Sequence, residues 1–95
     1  MAEIVILQGA QNDLIRITIR HGDRFESSLD RTFHQLMLFP ESAPQYSSDP
    51  IIRRILIPNS HLAAFYSISG DRVLVLAVLD LRQNPEKIKD RLLDR

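Results

Sequence analysis

Apolar and polar positions along the chain fall into blocks of distinct period. Ile4 to Leu7 form a short apolar run that Gly9 breaks, which predicts a strand over residues 3 to 8. Residues 10 to 22 carry two periods at once. Ile15, Ile17 and Ile19 alternate with Arg16, Thr18 and Arg20 as in a strand, whereas Leu14, Ile17, Thr18 and His21 follow helical spacing, with Asn12 or Asp13 as a cap. The local pattern leans to a strand and leaves the segment open. Residues 23 to 38 form a helix, because Phe25, Leu29, Phe33, Leu36 and Met37 make one apolar stripe. Asp23 with Glu26 makes a capping box at its start, and Phe39-Pro40 ends it.

Residues 41 to 50, rich in Ser and Pro, form a loop. The second half reads as three strands, 51 to 57, 61 to 69 and 72 to 81, joined at Pro58-Asn59-Ser60 and at Gly70-Asp71. Such a meander is antiparallel. Val73 to Leu79 hold only Val, Leu and Ala, so the last strand is expected at the centre of the sheet. Asn84 caps a closing helix over 86 to 93, with Pro85 at its start, Ile88, Leu92 and Leu93 packing, and Lys87, Lys89, Asp90 and Arg91 in water. The predicted architecture is α+β, one domain over residues 1 to 95: helices laid on a mainly antiparallel four-stranded sheet, with a short C-terminal helix.

Composition narrows the chemistry. The 95 residues contain no Cys, which removes disulfides, thiolate metal sites and Cys nucleophiles. The start of the chain lacks the basic region and long apolar core of a signal peptide, and no window reaches the ~18 apolar residues of a membrane span. A cytoplasmic protein without membrane contact is expected. Net charge is zero, yet residues 1–50 carry four Arg against seven acids, while residues 51–95 carry eight Arg and Lys against five. That balance speaks mildly against nucleic acid as the main partner and leaves room for a basic patch in the second half. His21, His34 and His61 are scattered without ligand spacing, the Ser residues lack a nucleophile-elbow context, and the three Gly form no phosphate loop. No metal and no cofactor is expected. Of Phe65 and Tyr66, one belongs to the core and one to the surface.

The order of these pieces resembles the RelE/ParE superfamily of toxins from type II toxin–antitoxin modules. The resemblance rests on the strand before Asp13-Leu14, the LMLFP ending at Pro40, and the stretch RRILIPNSHLAAFYSISGDRVLVLAVLDLRQNP. It implies that residues 10 to 22 are the first helix of a helical hairpin, in the order β-α-α-β-β-β. It also implies a cognate antitoxin and a heteromeric toxin–antitoxin complex. RelE-like members are ribosome-dependent mRNA endonucleases, usually strongly basic; ParE-like members are associated with inhibition of DNA gyrase.

RNA cleavage by 2′-OH attack needs a base, a cation at the phosphate and an acid. Arg54, Tyr66 and Arg82 are the alternative nuclease set, with Arg53 and His61 nearby. After Arg82 there is neither Tyr nor His, which favours a ParE-like binding module without a reaction of its own. Its expected target contacts are Arg53 or Arg54, Arg82, and Lys87, Lys89 and Arg91. Adjacent Arg53 and Arg54 point to opposite faces, one of them solvated or paired with Asp80; Asp80 and Arg82 share a face as a structural pair at a partner-gripping strand end. A third class is a relative without toxicity that serves only as an antitoxin partner. An apolar groove on the helical layer and the open sheet edge is expected to receive the antitoxin.

Overall fold

A computed structural model describes residues 1–93, apart from the side chain of Asp23. The elements run β1 (Glu3–Ile6), α1 (Gln8–His21), α2 (Asp23–Leu38), β2 (Gln45–Tyr46), β3 (Asp49–Leu56), β4 (Leu62–Ser69), β5 (Arg72–Asp80) and α3 (Pro85–Leu93). The sheet has five strands in the order β1-β5-β4-β3-β2. The expected four-stranded sheet gains β2, a two-residue strand inside what read as a loop, too short to carry a period. β1 runs parallel to β5, so the sheet is mixed; β5 is an interior strand between β1 and β4, as its apolar run implies, and β4 is the middle one of the five.

Residues 8 to 21 are helical, which resolves the ambiguous segment against its strand period. Ala10 and Asp13 are buried and Leu14 and Ile17 pack on the core, whereas Ile15 and Ile19 are 60% and 80% exposed. The alternating isoleucines therefore do not share one buried face. The helix starts at Gln8, so neither Asn12 nor Asp13 caps it. The cap position of α2 is Gly22, with φ 66°, which has no side chain to cap with; the expected Asp23 cap lies outside the described side chains.

The helical hairpin covers one face of the sheet. Ala10, Phe25 and Leu36 pack there with Ile55, Tyr66, Val73, Val75 and Val78. The α3 residues Ile88 and Leu92 cover the other face with Ile52, Phe65, Ala77 and Leu79. Both Phe65 and Tyr66 are completely buried, contrary to the core-and-surface expectation, because both faces are covered. Tyr46 of β2 meets Phe65 edge-on, with ring centroids 5.5 Å apart. Leu93, expected to pack, is 69% exposed.

A bulge in β5 changes which face its later residues serve. Phe65 pairs with Ala77 and Tyr66 with Val75, leaving Leu76 as the extra residue. Leu76 and Ala77 then both face α3, and Val78 turns back towards α1. β1 pairs with β5 only as far as Val75. Beyond that point the Val78 N–H donates instead to Asp13 Oδ2, at 3.0 Å. Arg91 Nη1 donates to the same oxygen at 3.0 Å, its Nη2 donates to the Gly9 carbonyl at 3.0 Å, and Arg16 pairs with Asp13 Oδ1. A Cβ on Gly9 would meet Arg91 Nη2 at 2.9 Å, so glycine leaves the guanidinium its place. Arg91, expected in water, instead ties α3 to α1.

Asp13 is 1% exposed, and removing one partner of a buried pair strands the others. Asp13→Asn is expected to cost about 3–5 kcal/mol, read as a lower urea midpoint at unchanged slope. A loss below about 1 kcal/mol would show the carboxylate to be dispensable.

Candidate functional site

The C-terminal end of β5 opens into a groove of about 950 Å³ between α1 and α3. Arg82, Lys87 and Arg91 line it from one side, and Arg16, Ile19, Arg20 and His21 from α1. The other expected target contacts lie elsewhere. Arg53 sits on the helical-layer face of β3, where Nη1 donates to the carbonyls of Ala43 at 2.7 Å and Glu41 at 3.3 Å rather than pairing with Asp80. Arg54 is exposed and directly opposite Phe65, on the α3 face. Lys89 is exposed on α3, outside the groove.

Sequence reasoning missed Arg16, Arg20 and His21. Their signal was present, since Arg16 and Arg20 are four apart, but it is visible only if the segment is helical. The exposed Ile15 and Ile19 repeat the same spacing one residue earlier, so α1 shows an apolar row beside a cationic row.

Asp80 and Arg82 close on each other as the shared face implied. Arg82 Nη2 donates to Asp80 Oδ2 at 2.7 Å, Nε to Oδ1 at 3.1 Å, and the Arg82 backbone N–H to Oδ1 at 2.9 Å. These bonds hold the Asp80 carboxyl down at about 2, from an ordinary value of 3.8, and raise the Arg82 guanidinium further. A pair this exposed adds little to stability, but it fixes the direction of the guanidinium fork.

The alternative nuclease set is not assembled. The Tyr66 hydroxyl donates to the Pro40 carbonyl at 2.7 Å from a fully buried ring. Burial pushes its phenol above the ordinary value, against the opposing pull of Arg53 and the Ala43 backbone. Arg54 lies on the opposite face. Arg82 follows Asp80, whose β4 partner is Leu62, four residues or about 13 Å along the strand from Tyr66. His61 is exposed. No group of three metal-ligating side chains occurs among the described residues, and no described helix is long and apolar enough to cross a membrane.

The Asp80 carboxylate is stabilised in the folded state relative to its ordinary value. Its contribution is therefore complete above about pH 4 and is lost as pH falls through about 2. Carboxyl NMR titration is expected to give an apparent pKa of about 2. In Arg82→Gln it returns towards the ordinary 3.8, and the pH-dependent stability difference between the two proteins lies inside that window.

No family model and no curated protein matches the sequence. Solved structures do match. A copper-bound mutant toxin from Helicobacter pylori superposes with TM-score 0.68 at 14% identity, covering 84% of this chain and 94% of that one. The chromosomal ParDE toxin–antitoxin system of P. aeruginosa gives TM-score 0.67 at 16% identity, covering 82% and 94%. These likenesses span most of both chains, and the chain has the fold of the ParE/RelE-type toxins.

Proposed function

We propose that the chain is a ParE-like toxin of a type II toxin–antitoxin module, acting on DNA gyrase by binding and held inactive by a cognate antitoxin. The observation that carries the reading is the state of the groups a nuclease would use. Tyr66 spends its proton on a main-chain carbonyl in the core, Arg54 faces away from it, and Arg82 is occupied by Asp80. A general acid or base must reach the reacting proton. A buried phenol hydrogen-bonded to a carbonyl does not.

The groove suits a protein ligand. Exposed Ile19 lines it beside Arg16 and Arg20, with Arg82 and Lys87 on the other side, an apolar and cationic mixture matched to an amphipathic acidic segment. Such a segment supplies the antitoxin contact. The likeness to the ParDE system supports the same partner class.

The test is a pulse of expression in growing bacteria without antitoxin, following thymidine and amino-acid incorporation together. DNA synthesis is expected to fall first, with filamentation. Collapse of protein synthesis within minutes, while DNA synthesis continues, would overturn the gyrase reading in favour of the RelE-like mRNA endonuclease; no change in either would indicate a non-toxic relative or one aimed at another target. Tyr66→Phe separates the chemistry further. It removes one hydrogen bond, costing about 1 kcal/mol, and is expected to leave toxicity intact. A nuclease using the phenol loses its activity in that variant.

A further inference from the structure

The hairpin end of the molecule carries a second groove, of about 750 Å³, between the α1–α2 corner, the first two turns of α2 and the β3–β4 turn. Arg20, Arg24 and Arg31 line it, and among the described residues none of the three is in an ion pair. No described acid lines it. This is unexpected in a chain whose net charge is zero.

The helix explains how the charges separate. At about 100° per residue, Arg24, Ser28 and Arg31 fall within about 60° of one another on α2, while Glu26 and Asp30 lie about 120–160° round the axis from Arg24. Arg24 and Arg31 are spaced about 10.5 Å along the axis. Ser27 and Ser28 stand between them, and their short side chains leave the groove open. Across it, Asn59 is held at φ 60° in the turn after β3 and lines the same space. The first turn of α2 opens on this groove, and Gly22 at its cap position carries no side chain.

We infer that this groove seats the phosphate backbone of a double-stranded nucleic acid without reading its sequence. The lining is the donor set that phosphate oxygens take: Arg guanidinium, Ser hydroxyl, Asn amide and a helix N-terminus. A single strand is disfavoured, because the groove offers no row of open aromatic faces for stacking. Of its two rings, Phe25 is 5% exposed and belongs to the core, and His21 tilts against it with centroids 6.1 Å apart. Arg20 and His21 also line the groove at the end of β5, so the row of cations without an ion pair runs from Arg31 through Arg24 to Arg20 at the helical corner. Contact along such a length suits a stiff polyanion better than one small anion.

The test is fluorescence anisotropy with a short labelled duplex, comparing wild type with the double variant Arg24→Gln/Arg31→Gln between about 50 and 200 mM salt, the range over which phosphate contacts dissociate. The control is Arg54→Gln/Lys89→Gln, which removes two exposed cations outside both grooves. The double variant is expected to reduce the slope of log affinity against log salt by about two, with the control matching wild type. B-form DNA and A-form RNA duplexes run in parallel identify which backbone is held. A single strand of equal length is expected to bind more weakly, and polyglutamate is expected not to compete. The inference is overturned by absence of duplex binding at the lowest salt, by equal slopes for wild type and the double variant, by preference for the single strand, or by polyglutamate competing as well as the duplex. That last result would assign the groove to an acidic protein. The assay contains neither gyrase nor antitoxin, so its failure leaves the proposed toxin function standing.

Discussion

One buried carboxylate holds the ends of this fold together. β1 is four residues long and β5 is nine, so part of β5 has no strand beside it on that edge. An unpaired N–H there would cost about as much as a lost hydrogen bond. Asp13 removes the problem from within a helix, accepting the Val78 N–H as a neighbouring strand would. A carboxylate in that position needs compensating charge, which Arg91 and Arg16 provide. The pairing fixes the position of α1 against β5 and ties α3, from the far end of the chain, to both. The groove at the end of β5 exists because these three elements are held in that relation.

The sequence was most legible where a single period ruled. β3, β4 and β5 lie within two residues of their expected bounds, and Asn84 caps α3 through the Glu86 N–H as expected. It was least legible where two demands met in one segment. In α1, Ala10, Leu14 and Ile17 answer to the core, while Ile15 and Ile19 face outward. Adding the outward isoleucines to the inward one produces a false strand period. The family resemblance resolved the segment where local pattern did not, and it also singled out Asp13-Leu14. The role of Asp13 was not legible locally, because two of its three partners, Val78 and Arg91, lie 65 and 78 residues away.

The same limit applies to the bulge. Val73 to Leu79 are Val, Leu and Ala throughout, so no polar residue marks where the strand changes phase. Only pairing with β4 shows that Leu76 is the extra residue. Without that shift Val78 would face α3, and its N–H would not be the one turned towards Asp13. The apolar run therefore encodes burial on two faces but not which residue serves which. Phe65 and Tyr66 illustrate the point: strand alternation correctly placed them on opposite faces, and the error was to leave one of those faces bare.

Charge is where sequence position misleads most. The N-terminal half is net acidic and the C-terminal half net basic, which directs attention to α3 as the cationic surface. Folding redistributes this. All four arginines of the acidic half, Arg16, Arg20, Arg24 and Arg31, line one groove or the other. Of that half's described acids, only Asp13 reaches a groove, and it is already bound to Arg16 and Arg91. Meanwhile Arg91 and Arg82 of the basic half are largely committed to carboxylates. Helical geometry, which places residues three, four and seven apart on one face, determines which charges act together. A neutral chain thus acquires a cationic groove, lined by Arg20, Arg24 and Arg31, from its more acidic half.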